Sequence, residues 1–256
     1  MRVIRYRLGG AERWGLLEDG WIDEIADPFT GNAFAVTRMD TRTPERDVVL
    51  LAPVRPSKIV GVAANYPKHA AEMGNPVAEE PRLFLKAPSA IVGPGDAIEI
   101  PPGTTRVDPE GELGVVIGRR MSRVSPAEAL SYVLGYTIVN DVTCRDFQQI
   151  DKIFGRAKSF DTFCPVGPWI DTDIDPHDLA IRLSVDGDVR ASGRTSEMTH
   201  KLAPLLSFIS HVMTLLPGDL IATGTPPGVA PIAPGNHVSI AIDGLGVLDS
   251  PVRTRA

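Results

Sequence analysis

Three turns of the same kind, each followed by a short apolar segment, constrain the fold of this chain most. Proline presets the first central position of a turn and glycine takes positive φ at the second, so each pair ends one segment and starts the next. With 24 glycines and 23 prolines in 256 residues, such breaks are frequent, and the sequence predicts a β-dominated body with few helices. The three turns are Pro94-Gly-Asp96 before 97–100, Pro217-Gly-Asp219 before 220–223, and Pro234-Gly-Asn236 before 237–242.

The N-terminal residues have the pattern of a short β-meander. Apolar and polar residues alternate, and the pairs Gly9-Gly10 and Asp19-Gly20 separate the apolar segments. Two-residue turns of this composition favour hairpins. The expected strands cover residues 2–8, 14–17 and 21–25.

A polar stretch at 41–47 is typical of a linker or loop. Residues 50–55, which include Pro53, then lead into the main body. We therefore predict a small N-terminal β-meander domain at 1–52 and a catalytic domain at 53–256.

Two helices are predicted from their end signals. Residues 125–128, Ser-Pro-Ala-Glu, form a capping box with proline at the first helical position, which predicts a helix through Val133 that Gly135 ends. The second helix begins near residue 65 or 66 with Pro67 in its first turn, and it runs through residues 68–73 to a glycine.

Charge and composition exclude several classes of function. The 26 Lys and Arg against 32 Asp and Glu give a net charge of -6 with no basic stripe or tail, which argues against a nucleic-acid partner or an anionic membrane surface. No apolar run approaches the roughly 20 residues that span a bilayer, and the first residues lack the apolar core of a signal peptide. We expect a cytoplasmic enzyme.

Common catalytic signatures are missing from the sequence. It has no GxGxxG after a strand, no P-loop, no GxSxG and no HExxH, so nucleotide binding and the common serine and zinc hydrolases lose their main support. Cys144 and Cys164 lack CxxC spacing, and we expect both to be small buried hydrophobes.

Three acids at the ends of two apolar segments suggest a metal site. Glu110 and Glu112 open the segment that ends at Gly118, and Asp141 follows the next apolar segment. Side chains alternate along a strand, so Glu110 and Glu112 share one face and can grip one hard cation while Leu113 points the other way.

A solvated strand face is the alternative interpretation of these acids. The same face continues as Gly114, Val116 and Gly118 rather than as further polar residues, which favours a local metal site. The glutamates start one strand and Asp141 ends the next, so the three acids can meet only if the strands run antiparallel or bend sharply. The metal hypothesis therefore predicts a topology as well as a site.

Other polar residues offer catalytic groups, each with a plainer alternative. His69 and Glu72 have the spacing with which a carboxylate orients an imidazole on a helix, and a surface ion pair has the same spacing. Lys158, flanked by phenylalanines, suits a partly dry pocket, but it can equally be a surface lysine, and Lys86 presents the same choice. Residues 223–228 offer backbone amides and the Thr225 hydroxyl to a carboxylate, or form a plain tight turn.

Read in order, five motifs of this chain resemble the fumarylacetoacetate hydrolase family over about residues 55–252. The resemblance implies an α+β, β-dominated fold built around a mixed rolled β-sheet, and it implies a homodimer. The motifs are residues 58–74 (KIVGVAANYPKHAAEMG), 110–112 (EGE), 135–146 (GYTIVNDVTCRD), 157–163 (AKSFDTF) and 217–226 (PGDLIATGTP).

The resemblance also implies site roles. Members of the family hold Mg²⁺ or a similar divalent ion, here Mn²⁺ or Ca²⁺ as alternatives, on the positions that match Glu110, Glu112 and Asp141. His69 and Glu72 match a water-activating pair, and Lys158 matches an active-site lysine. The substrate contacts that we expect are Arg82, Lys86, Gln148, Gly224 and Thr225.

The function implied is a Mg²⁺-dependent hydrolase that cleaves a C–C bond in acylpyruvate-type 1,3-diketo acids. One alternative is an isomerase or decarboxylase of 2-oxo-dienedioates or oxaloacetate, and another is a non-catalytic protein that binds a metal and an oxo acid. Arg82, Arg145 and Arg156 can each bind a second substrate carboxylate or form a structural ion pair.

Overall fold

The computed structural model of the chain describes residues 1–30, 35–74 and 78–255. The first strands are β1 Arg2–Leu8, β2 Ala11–Glu18, β3 Trp21–Ile25, β4 Arg38–Pro44, β5 Val49–Leu51, β6 Ile59–Ala63, β7 Arg82–Lys86, β8 Ile91–Val92, β9 Ile98–Ile100 and β10 Val107–Asp108. They are followed by β11 Gly111–Ile117, β12 Val133–Asn140, β13 Thr143–Cys144, β14 Cys164–Asp171, β15 Ala180–Val185, β16 Asp188–Arg194, β17 Leu220–Ala222, β18 His237–Ile242 and β19 Gly246–Thr254. The α-helices are α1 Pro67–Glu72, α2 Pro126–Ala129, α3 Arg145–Asp151, α4 Gly155–Lys158 and α5 Leu202–Val212.

Most strands belong to two mixed sheets. A twelve-stranded sheet has the order β4-β3-β2-β1-β14-β12-β11-β17-β6-β7, with β5 paired to β1 and β8 paired to β14. A five-stranded sheet has the order β16-β15-β18-β19-β9, and β10 and β13 form a separate pair. The pairs β14–β8, β17–β6 and β19–β9 are parallel and the rest are antiparallel. The predicted β-dominated α+β fold with a mixed sheet is confirmed.

The central strand β11 is buried on both faces. Leu113, Val115 and Ile117 belong to the largest apolar cluster, which also contains residues of the five-stranded sheet and of α5. Val116 points the opposite way, into a second cluster with Leu220. This alternation follows from the two-residue period of a strand, and it fixes which face of β11 carries the acids.

The predicted Pro-Gly turns each precede a strand, as expected. The glycines Gly95, Gly218 and Gly235 all have positive φ, and β9, β17 and β18 follow them. The three strands of the predicted N-terminal meander are also present, as β1, β2 and β3, in antiparallel pairing.

The N-terminal strands are continuous with the large sheet, because Arg2 of β1 pairs with Asp171 of β14. The division of the chain at residue 52 stays a prediction. The prediction of a linker at 41–47 was wrong. Residues 41–44 belong to β4, which pairs with β3 at the sheet edge, and Thr43 is buried there. The free backbone groups of an edge strand can pair with a polar segment, provided that the side chains of the polar segment can face water.

The predicted helix through Val133 was also wrong at its end. Helix α2 stops at Ala129, a 3₁₀ turn covers Leu130–Tyr132, and Val133 already begins β12. The Ser125 hydroxyl donates to the Glu128 carboxylate at 2.7 Å, and the hydroxyl does not cap a backbone amide. Pairing with β11 in the buried sheet outweighs the helical signals at this short segment.

Helix α1 forms at the predicted place, with Pro67 as its first residue and Gly74 at positive φ after it. Both cysteines are buried and free, as expected. Among the described residues, no helix is long and apolar enough to cross a bilayer.

Candidate active site

The antiparallel pairing of β11 and β12 brings the three predicted acids together. Gly111 pairs with Asn140, and the Asp141 amide donates to the Glu110 carbonyl at 2.8 Å. One carboxylate oxygen from each of Glu110, Glu112 and Asp141 lies within 4.8 Å of the others, and all three residues are buried. The predicted antiparallel topology is therefore confirmed.

Lys158, the last residue of α4, contacts two of the three acids. Its ammonium donates to Glu110 at 2.8 Å, to Asp141 at 2.5 Å and to the Thr143 hydroxyl at 2.8 Å, and it lies 4.7 Å from the centre of the Phe84 ring. Burial alone lowers the pKa of Lys158, but the carboxylates of Asp141 and Glu110 outweigh this effect and raise the pKa. The lysine therefore carries a fixed positive charge beside the acids.

Glu110 and Glu112 differ in electrostatic environment. Burial raises the pKa of Glu110, but the cations of Lys158 and Arg145 outweigh it and hold the pKa well below its usual range. Burial raises the pKa of Glu112 as well, and there the negative charges of Asp141 and Glu110 add to the effect. Nearby cations therefore compensate Glu112 less than they compensate Glu110.

The sequence analysis missed a buried carboxylate, Asp108, which holds the arginine that contacts Glu110. It accepts from Arg145 at 2.7 Å and from Arg106 at 2.9 Å, and Arg145 also donates to Glu110 at 2.6 Å. Burial lowers the pKa of Arg145, but Glu110 and Asp108 raise it. Strand alternation was the available signal, because Asp108 lies two residues before Glu110.

The predicted pair His69 and Glu72 forms on α1 at the edge of the site. The His69 Nδ1 lies 3.3 Å from Glu72, and its Nε2 lies 3.8 Å from Glu110. The Glu72 carboxylate also accepts the Gly228 amide at 3.0 Å. A carboxylate that is itself held can orient the imidazole and stabilise its charged form.

These groups surround a cavity of about 310 Å³. Four of the expected substrate contacts, Arg82, Gln148, Gly224 and Thr225, line it together with the three acids, His69 and Lys158. Apolar side chains complete the wall, among them Phe84, Phe154 and Met73. Gln148 accepts a hydrogen bond from Arg145 at 2.9 Å, and Arg156 lies outside the lining and pairs with Asp151 at 2.6 Å.

The prediction that Lys86 contacts substrate disagrees with its position. The side chain is completely buried and is not among the residues that line the cavity. Its ammonium donates to Asp141 at 2.5 Å and to the Phe163 carbonyl at 2.9 Å. Strand β7 therefore places the Lys86 ammonium on the side of Asp141 that faces away from the cavity, where its contacts are with the protein.

Gly224 and Thr225 follow β17, and their polar groups differ in hydrogen bonding. The Gly224 amide donates to Glu112 at 2.7 Å, so this amide orients an acid. Gly224 also lines the cavity, and its contact with substrate stays a prediction. Gly224 has φ of +103°, and a Cβ there would lie 2.9 Å from Asn65, so only glycine suits the position. The Thr225 hydroxyl is buried with no partner among the described residues.

The residues present fit a divalent cation. Three carboxylates supply hard oxygen ligands at mutual distances that one ion can share. Burial and the negative charges of Asp141 and Glu110 raise the pKa of Glu112, and a bound cation would counteract both effects. Carboxylate oxygens suit Mg²⁺, Mn²⁺ and Ca²⁺ alike.

The comparison with protein families is decisive at this point. Residues 58–253 match the family model described as fumarylacetoacetate (FAA) hydrolase C-terminal. The chain belongs to the fumarylacetoacetate hydrolase family. Residues 1–53 match a second model, described as Rv2993c-like, N-terminal.

Relatives within the fumarylacetoacetate hydrolase family have differing names. Protein Rv2993c of Mycobacterium tuberculosis is 52% identical over 212 residues, covering 82% of this chain and 80% of the relative. A mitochondrial oxaloacetate tautomerase, FAHD2A of Bos taurus, is 43% identical over 222 residues, covering 82% of this chain and 71% of the relative.

Solved structures of the family include an isomerase and a hydrolase. The 2-hydroxyhepta-2,4-diene-1,7-dioate isomerase of Mycobacterium marinum is 44% identical with a TM-score of 0.92, covering 100% of this chain and 99% of that one. The maleylpyruvate hydrolase of Sphingobium sp. SYK-6, in complex with manganese (II) ion and pyruvate, is 31% identical with a TM-score of 0.83, covering both chains fully. Family members are thus enzymes with more than one reaction type.

Proposed function

We propose that this chain is a divalent-metal-dependent hydrolase that cleaves a C–C bond in acylpyruvate-type 1,3-diketo acids, a class that includes fumarylpyruvate and fumarylacetoacetate. The observation that carries the proposal is the convergence of the three acids, Lys158 and the His69–Glu72 pair on one cavity. Hydrolysis needs both a site for the oxo acid and a base for water, and this cavity contains candidates for each.

Glu110, Glu112 and Asp141 would hold the ion, with Mg²⁺ as the first choice and Mn²⁺ or Ca²⁺ as alternatives. When bound, a divalent cation supplies Lewis-acid polarisation of the substrate's oxo and carboxylate oxygens. The hydrolase relative crystallised with manganese and pyruvate supports an ion and a 2-oxo acid at such a site.

Lys158 and Thr225 act on the oxo-acid end of the substrate. The Lys158 ammonium contributes a fixed positive charge where negative charge develops on the oxo oxygen as the C–C bond breaks. The Thr225 hydroxyl, unpartnered and buried in the cavity wall, donates to the substrate carboxylate. Arg82 and Gln148 line the same cavity and complete the proposed substrate contacts.

His69 takes the proton from the attacking water. Glu72 stabilises the imidazolium that results, and the Gly228 amide holds the Glu72 carboxylate in place. The resulting hydroxide adds to the distal carbonyl carbon, and the bond between that carbon and the pyruvate fragment breaks. The products are a carboxylic acid and the enolate of pyruvate, which takes up the proton that His69 removed from the water.

An isomerase, tautomerase or decarboxylase of the same ligand class is the second candidate. The identities of 43% and 44% to a tautomerase and an isomerase favour it, against 31% to the hydrolase. These reactions need charge stabilisation of the oxo acid and a proton shuttle, but no attacking water.

Turnover of a small panel of oxo acids in the presence of Mg²⁺ tests the proposal. An acylpyruvate, a 2-oxo-dienedioate and oxaloacetate would be supplied separately, and the products would be identified by NMR. Release of pyruvate and a second acid from the acylpyruvate supports the hydrolase, whereas an isomer, or pyruvate and CO₂ from oxaloacetate alone, supports the second candidate. No turnover of any of them would favour a non-catalytic binding protein. The homodimer and the cytoplasmic location stay predictions.

A further inference from the structure

The buried carboxylates around the three acids outnumber the buried cations. Among the residues that the structure describes, four carboxylates and three cations, each less than a tenth exposed, meet there, so one formal negative charge is left over. Arg106 also contacts this group, but its side chain is 48% exposed and water screens it. The carboxylates belong to Asp108, Glu110, Glu112 and Asp141, and the cations to Lys86, Lys158 and Arg145.

Lys86 differs from the other two cations because it does not line the cavity. Its ammonium is satisfied by the Asp141 carboxylate at 2.5 Å and by the carbonyls of Phe163 at 2.9 Å and Val142 at 3.4 Å. Burying an ammonium is costly, and a methionine of similar length would fill the same space without that cost. The position therefore calls for an explanation in terms of charge.

Asp141 presents its two oxygens to two different partners. One oxygen accepts from Lys86 and the other from Lys158, which also contacts Glu110. An ion that binds the three acids can therefore use one oxygen of Asp141 without competing with Lys86.

We propose that Lys86 is a positioning residue that acts through Asp141 and sets the charge of the site. The inference rests on the proposed function, because it presumes a divalent ion on the three acids. With Lys86 in place, one divalent ion turns the single excess negative charge into a single positive one, which one carboxylate group of an oxo acid then neutralises. Without Lys86, the ion alone neutralises the site and the oxo acid brings an uncompensated charge.

The consequence is a pair of effects with opposite signs. Removing the Lys86 charge strengthens the binding of the ion, because a nearby positive charge no longer repels it, and weakens the binding of a monoanionic oxo acid to the loaded site. If Lys86 only orients Asp141, its removal should instead weaken the binding of the ion. Losing an orienting partner of a metal ligand usually lowers metal affinity by about 10- to 100-fold.

The experiment measures Mn²⁺ binding by calorimetry, then pyruvate binding to the Mn²⁺-loaded protein by water-proton relaxation. It compares the wild type with Lys86→Met and with Lys58→Met. Lys58 is a matched control because it pairs with the buried Asp219 at the opposite ends of β6 and β17 from the site. We expect Lys86→Met to bind Mn²⁺ roughly tenfold or more tightly and pyruvate roughly tenfold or more weakly, a change on the scale of one charge near a partly buried ion. Both affinities should be unchanged in Lys58→Met.

Two further variants keep the test decisive if Lys86→Met does not fold. Lys86→Gln removes the charge but keeps a polar group, and it should also bind Mn²⁺ more tightly and pyruvate more weakly. Lys86→Arg keeps the charge and should preserve both affinities. Parallel weakening of Mn²⁺ and pyruvate in the neutral variants, or no change in either, overturns the inference while leaving the proposed function intact. Failure of the wild type to bind Mn²⁺ overturns both.

Discussion

The backbone amide of Asp141 donates to the carbonyl oxygen of Glu110 at 2.8 Å, and this one hydrogen bond joins the start of β11 to the end of β12. Because the two strands are antiparallel, residues at the start of one lie beside residues at the end of the other. Acids 31 residues apart in the sequence therefore meet, and the metal site follows from strand pairing.

Replacing Glu112 with glutamine should abolish tight metal binding. The amide keeps an oxygen that can accept the Gly224 amide, so the turn is retained while the ligand charge is lost. We expect Mn²⁺ affinity, measured by calorimetry, to fall roughly a hundredfold or more. The control is Glu99→Gln, which neutralises a carboxylate that pairs with Arg253 away from the site and should bind Mn²⁺ normally. Normal binding by Glu112→Gln would exclude Glu112 as a ligand.

Replacing His69 with alanine should separate hydrolysis from oxaloacetate decarboxylation, which needs no attacking water. Acylpyruvate cleavage should fall by roughly 10²- to 10⁴-fold, the usual contribution of a general base, while oxaloacetate decarboxylation largely survives. Steady-state rates with both substrates measure the split, and His177→Ala, at an exposed pair with Asp175, is the control. An equal loss of both activities would argue that His69 serves a step common to both reactions.

Removing divalent ions should stop turnover and lower thermal stability together. An ion that binds only the folded chain stabilises it by about 2.7 kcal/mol at about 100 times its Kd. For a chain of this length we expect the melting temperature to rise by roughly 5–10 °C when Mg²⁺ or Mn²⁺ is added back after chelation. Full activity in the chelated protein would contradict the metal-dependent function.

Adding a methyl group at Gly135 should destabilise the central sheet. An ideal Cβ there would lie 2.3 Å from the Asp171 carbonyl oxygen, a backbone atom of β14 that cannot move without the strand. We expect Gly135→Ala to lower the free energy of unfolding by roughly 1–3 kcal/mol in urea titrations. The control is Gly155→Ala, where no atom lies within 4 Å of the new Cβ and the change should stay within about 1 kcal/mol. Equal stabilities for the two variants would show that β14 adjusts freely.

Much of the fold could be predicted because its signals are local. Turns at Gly95, Gly218 and Gly235 need positive φ wherever the chain goes next, and the alternation in β11 is set by the strand period. Local signals failed at Val133 and at residues 41–44, where pairing with a neighbouring strand outweighed short-range preference.

The sequence by itself determined which groups are available: three acids that prefer a hard cation, and a histidine and a glutamate that share one helix face. Only the tertiary structure decided that Lys86 lies behind Asp141 while Lys158 faces the cavity, and that the Gly224 amide is occupied by Glu112. Two lysines have the same side chain and both are buried here, so their roles depend on whether they line the cavity and on partners contributed by distant segments. Those contacts arise from strand pairing, and local sequence does not encode them.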